Sequence, residues 1–172
     1  MRVGLLVSFV VISGLGSHAL AQDSPLYSNR EDRFAVIFPG PPVAKDIAYT
    51  TRTGTSLPAR QYSFEDGDNR YAVTIVVFKL GRAADSRHVE HAAEILRKRG
   101  QILYQARATY DWGIPGRQLN IMETTGRQLR ASVYMHDHHL VITEASAEMG
   151  NIAALQFEQS ITLLDRNGAA ID

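Results

Sequence analysis

Leu129-Arg130-Ala131-Ser132-Val133-Tyr134-Met135-His136-Asp137-His138-His139-Leu140-Val141-Ile142 is the stretch whose reading decides the fold. Leu129, Ala131, Val133 and Met135 recur with the period of two that places side chains on one face of a strand. A two-residue turn at Asp137-His138 sets Met135 opposite Leu140 and Val133 opposite Ile142, so apolar side chains meet apolar side chains across the pair. The segment is predicted to be an antiparallel hairpin with one face in a core. Upstream, a two-residue loop at Thr125-Gly126 sets Ile121 against Arg130. A three-residue loop through Arg127 sets Ile121 against Ala131 and Leu119 against Val133, and this longer loop is expected, with Gly126 or its neighbour in a bulge.

Further toward the N-terminus the same period continues. Ile102, Tyr104, Ala106, Ala108, Tyr110 and Trp112 alternate with polar residues, which predicts a strand with one buried face ending at Gly113-Ile114-Pro115-Gly116. Before it the period changes to that of a helix: Val89, Ala92, Ala93 and Leu96 share a face, Asp85 or Ser86 supplies an N-cap, and Gly100 follows a cationic last turn at Arg97-Lys98-Arg99. Tyr71 to Phe78 is apolar on both faces and reads as a central strand, entered through the turn Asp66-Gly67-Asp68-Asn69. Two strands, Asp46 to Arg52 and Leu57 to Glu65, are expected around Thr53-Gly54-Thr55. Phe34 to Phe38 forms another, stopped by Pro39-Gly40-Pro41-Pro42. After the deciding hairpin, Asn151 caps a second helix with Ala153, Ala154, Phe157 and Ile161 on one face, and Thr162 to Leu164 adds a short strand. The expected class is α+β: a largely antiparallel sheet of about six to eight strands covered by two helices.

At the N-terminus, Arg2 precedes an apolar run from Val3 to Val11, and Ala19-Leu20-Ala21 supplies a small-residue cleavage site, the pattern of a secretion signal. The run is short for a bilayer span, which needs about 20 apolar residues. The expected organisation is a cleaved leader over residues 1–21, a flexible stretch over 22–32, one domain over 33–165 and a polar tail over 166–172. The expected location is the periplasm or the exterior, with no membrane span in the mature chain. There is no cysteine, so the core holds without disulfides. The chain has 18 basic and 18 acidic side chains, and loss of Arg2 leaves it one unit negative. That balance argues against a nucleic-acid partner, because phosphate recognition draws on a basic excess.

The segment Arg33-Phe34-Ala35-Val36-Ile37-Phe38-Pro39-Gly40-Pro41-Pro42, the extended segments ending in Tyr71-Ala72-Val73, and the closing Phe157-Glu158-Gln159-Ser160-Ile161 resemble a family of exported bacterial domains with the PsbP-like fold, named after an extrinsic subunit of photosystem II. The motifs that carry the likeness are structural, Phe-Pro-Gly-x-Pro after a strand and Phe-x-x-Ser in a terminal helix. The resemblance implies an αβα arrangement around an antiparallel sheet, used mostly for docking to other proteins. It carries no catalytic or metal-binding residues onto this chain.

Candidate chemistry is sparse. His136 and His139 become cross-strand neighbours if the turn is Asp137-His138, close enough to share a Zn or Cu ion, with Asp137 as an oxygen donor; a solvated hairpin tip accounts for the same residues. A zinc or copper titration of the melting temperature separates the two. Tyr104, Tyr110 and Trp112 share a strand face that could contact a ligand or partner, or pack beneath a helix. His88 and His91 lie three apart on the first helix, without the spacing of a zinc peptidase, and read as part of a solvated face. Gly54-Thr55-Ser56-Leu57-Pro58 begins like a nucleophile elbow but ends in proline, and Asp66-Gly67-Asp68 lacks the bidentate Glu of a calcium loop, with Val77 in its place. No acid, base and nucleophile assemble. The expectation is a non-catalytic exported domain, with no required cofactor, that docks to an envelope protein. The alternative is a binding module for a small ligand or transition metal.

Overall fold

A computed structural model describes residues 26–79, 85–110 and 113–171. The expected leader and Trp112 lie outside these residues. The fold is α+β. The elements run β1 (Leu26–Asn29), β2 (Phe34–Ile37), β3 (Val43–Thr50), β4 (Ser56–Asp66), β5 (Asn69–Val77), α1 (Ser86–Arg97), β6 (Gly100–Tyr110), β7 (Ile114–Glu123), β8 (Gln128–His136), β9 (His139–Ala147), α2 (Ile152–Gln159) and β10 (Thr162–Leu163). Seven strands form one antiparallel sheet in the order β3-β4-β5-β9-β8-β7-β6, and β1-β2-β10 form a second, three-stranded sheet. The central positions go to β5, β9 and β8, most of whose side chains are buried on both faces.

The deciding hairpin has the expected register: Met135 pairs with Leu140, Val133 with Ile142 and His136 with His139. Alternation then divides the core. Leu129, Ala131, Val133 and Met135 join Val89, Ala92, Ala93 and Leu96 of α1 on one side of the sheet. On the other side Tyr134, Tyr71, Val73 and Ile75 pack with Phe34, Val36 and Phe38 of β2 and with Ala154 and Phe157 of α2. Phe157 is fully buried, its ring 4.9 Å from that of Phe38 and 5.5 Å from that of Tyr71. The Phe-x-x-Ser pattern has a structural purpose, since Ser160 Oγ accepts a hydrogen bond from Ile37 N (2.9 Å) and donates to Phe157 O (3.0 Å), tying the end of α2 to β2.

Both helix caps are as expected. Asp85 Oδ1 accepts from Arg87 N at 2.9 Å, and Asn151 Oδ1 accepts from Ala154 N at 2.9 Å, satisfying donors that the helix start leaves free. Gly100 differs from expectation. The helix closes at Lys98 in an ordinary right-handed conformation, and Gly100 opens β6, where an added Cβ would lie 1.9 Å from Met122 O. Glycine is needed there for close backbone approach rather than as a left-handed helix stop.

Four further expectations are corrected. The loop after β7 has three residues, but they are Thr124-Thr125-Gly126, so Ile121 pairs with Leu129 and Leu119 with Ala131. Gly126, at φ 81°, must occupy the left-handed last position of such a loop, which shifts the register by two and leaves every side chain on its expected face. The hairpin before β4 closes the same way through Gly54, also at φ 81°. Residues 26–32 are not a loose leader: β1 pairs with β2, and buried Asp32 accepts a hydrogen bond from the Tyr62 hydroxyl. The tail folds back, with a bridge between Leu164 and Ala170 and a bond from Ile171 N to Leu163 O at 3.0 Å. Finally, Ile114–Gly116 belongs to β7 and is not a loop, and Pro115 is tolerated because the ladder to β8 ends at Gly116.

Candidate functional site

At the tip of the β8–β9 hairpin, Asp137 and His138 take φ of 43° and 70°, the sign a two-residue turn between twisted strands demands. His136 and His139 stand directly opposite each other as expected. His139 is buried, with Nδ1 2.9 Å from Asp137 O, and burial lowers the His136 pKa from its ordinary value. The Asp137 carboxylate is engaged elsewhere. It accepts from Arg33 before β2 and from Arg166 after β10, the latter through two bonds of 3.0 Å, and these partners hold its pKa well below the usual carboxylate range. Among the described residues no group of three or more His, Asp or Glu side chains is arranged to hold a metal ion.

The aromatic strand β6 is at the sheet edge, and its burial differs from the expected pattern. After Gly100 only Ala106, Ala108 and Tyr110 are half-buried, and Ile102, Leu103 and Tyr104 are exposed. A bulge between Ile102 and Tyr104 is the cause: Ile102 pairs with Ile121, but Tyr104 pairs with Asn120, so the extra residue sends the two to opposite faces. Tyr110 packs edge-on against Tyr134, its hydroxyl accepting from Leu163 N at 3.4 Å, whereas Tyr104 is 57 % exposed. Tyr104 and Tyr110 share the expected face, Tyr104 at its exposed end and Tyr110 at its half-buried end. The helix histidines also differ from a solvated face: His88 stacks on Phe78, and His91 Nε2 lies 3.0 Å from Thr50 O.

A third place was missed in the sequence. Twelve residues of α1 cover only part of their face of the sheet, and the uncovered part carries three adjoining hollows of about 360, 210 and 530 Å³. The first is walled by Ile47, Tyr49, Ile95, Leu96 and Ile142, with Gln61, Thr74 and Glu144 at its polar side. The other two extend past the C-terminus of α1 toward Arg70, Arg99 and Ser146. Arg99 bridges two carboxylates, donating to Glu123 at 2.5 Å and to Glu144, and Ser146 Oγ donates to Glu123. Burial raises the Glu144 pKa, opposed by Arg99 and reinforced by Glu123. Tyr49 is raised to about 12 by burial, and its hydroxyl has no hydrogen-bond partner among the described residues. Among the described residues that line these hollows, Ser146 donates to a carboxylate that Arg99 already holds. The available signal was Glu144, a carboxylate in the apolar run Leu140 to Ala145 on the face shared with Ile142. Its partner Arg99 lies 45 residues away at the junction of α1 and β6 and could not be paired by spacing.

No protein-family model matches the chain, and no curated protein matches it. Among the described residues no helix is long and apolar enough to cross a membrane.

Proposed function

We propose that this chain is an exported, non-catalytic module that docks an extended segment of another cell-envelope protein onto the free edge of its large sheet at β6. The observation that carries this reading is the edge itself. β6 has 11 residues, pairs on one side only among the described residues, and exposes Ile102, Leu103 and Tyr104. Sheet edges that avoid partners are kept short or are guarded by charges and prolines, because their unpaired N–H and C=O groups template another strand. After Gly100, β6 carries Arg107 as its one charged side chain. The opposite edge, β3, is shorter, holds Lys45 and Asp46 side by side and follows Pro41-Pro42. Strand addition draws affinity from main-chain bonds and selectivity from alternate side chains, which exposed apolar residues on β6 would supply. The secretion-type leader and the resemblance to PsbP-like docking domains support the same reading, the second as fold analogy.

The test is a photoreactive side chain placed at Tyr104, with Val43 on β3 as the control, in cells retaining the full chain. A discrete protein adduct from position 104, absent from position 43 and lost when Leu103→Lys is added, is the expected result. Equal labelling from both edges, or an adduct indifferent to Leu103→Lys, would overturn the proposal.

A further inference from the structure

The apolar hollow under α1 lies at the β3–β5 end of the sheet, away from β6, and its chemistry is independent of edge docking. Its volume of about 360 Å³ falls in the range of small-molecule sites, and its make-up follows their pattern of apolar walls with a few converging polar groups. Ile47, Ile95, Leu96 and Ile142 supply the walls. Gln61 is held by its Nε2 bond to Thr74 Oγ1 at 3.1 Å, which leaves its carbonyl oxygen as an acceptor. The decisive group is Tyr49. It is 9 % exposed, it lines the hollow, and its hydroxyl is buried without a partner among the described residues. Folded proteins pair nearly all buried polar groups, so an unpaired hydroxyl on a residue that lines a cavity points to an occupant.

Charge narrows the class of occupant. The cation nearest to the wall residue Glu144 by bonding is Arg99, and its guanidinium is already divided between Glu144 and Glu123. Lys45 on β3 is exposed and does not line the hollow. Among the described residues that line the hollow an anionic ligand would meet a carboxylate and no cation, and an ion brought into apolar surroundings without a counter-charge is strongly disfavoured. We propose that the hollow between α1 and β3–β5 binds a neutral amphipathic small molecule whose hydroxyl or carbonyl group meets the Tyr49 hydroxyl.

N-phenyl-1-naphthylamine, an uncharged probe that fluoresces in apolar sites, serves as reporter, with 1-octanol and octanoate as competitors at pH 8. Saturable one-to-one binding is expected, with displacement by 1-octanol at least about tenfold more effective than by octanoate. Tyr49→Phe keeps the ring and removes the hydroxyl, so 1-octanol affinity falls about 3- to 10-fold. Ile95→Trp fills the mouth from a position that is 40 % exposed, and abolishes probe binding with the circular dichroism spectrum unchanged. Absence of saturable binding, octanoate equal to 1-octanol, or binding untouched by Ile95→Trp would each overturn the proposal. So would unchanged 1-octanol affinity in a folded Tyr49→Phe protein. If Tyr49→Phe does not fold, Ile95→Trp and the competitor pair decide the matter.

Discussion

His138 sits at φ 70°, a conformation in which a side chain other than glycine is strained, and its Nδ1 is buried with no partner among the described residues. The left-handed region costs an L-residue about 1–2 kcal/mol, part of which glycine gives back through the larger freedom of its unfolded chain. His138→Gly keeps the bond from Phe78 N to the residue-138 carbonyl, 2.8 Å long, and removes both penalties. It is expected to stabilise the protein by about 0.5–1 kcal/mol, read as a higher urea midpoint at unchanged slope. A lower midpoint would show that the imidazole holds the turn. At this scale the sequence was informative wherever one residue type has one physical use: Asp85 and Asn151 could be read as caps because their oxygens suit free helix donors. Gly126 was read as a bulge residue but placed one position wrongly, since only the backbone angle fixes which loop position needs it. Tyr49 could not be read at all, because an unpaired hydroxyl is a property of its surroundings.

Among the elements, α1 and the β8–β9 hairpin were legible because each buries one regular stripe against a neighbour, so that period and packing agree. β6 was not. Its alternation of apolar and polar residues over eleven positions imitates a half-buried strand, yet the bulge after Ile102 divides the apolar set between two faces and the edge position leaves most of it in water. The junction of α1 and β6 turns on Gly100, whose hydrogen faces the Met122 carbonyl where a methyl group cannot fit. Relief would require the β6 and β7 backbones to separate, so Gly100→Ala should cost about 1–3 kcal/mol in denaturant unfolding. It should also lower hydrogen-exchange protection in β6 and β7 more than in β3 and β4. A neutral effect would mean that the helix end yields in place of the strand pair.

Over the whole molecule, the small β1-β2-β10 sheet and α2 close the face of the large sheet opposite α1, and the β8–β9 turn adds an ionic link between the two sheets. Asp137, on the β8–β9 turn, accepts from Arg33 beside β2 and from Arg166 beyond β10. Asp137 and Arg33 are 17 % and 19 % exposed, and Arg166 is far more open at 75 %, so solvent screens its share. Arg166 and Arg33 lower the Asp137 pKa against the opposing effect of partial burial. The folded value lies below the unfolded one, near 3.9 for a free aspartate, so the linkage adds stability above about pH 4. That stability is lost as the pH falls through the depressed folded value. Asp137→Asn retains the turn and removes the charge, leaving Arg33 without its counter-ion. At pH 7 the variant should be less stable than wild type by about 1–2 kcal/mol, and the gap should narrow between about pH 4 and pH 2 as the unfolded wild-type chain takes up a proton that the folded carboxylate resists. Urea midpoints for both proteins from pH 7 to pH 2 give the test. A gap that stays constant from about pH 4 to pH 2 would assign the loss to turn geometry and remove the ion pair as a source of stability.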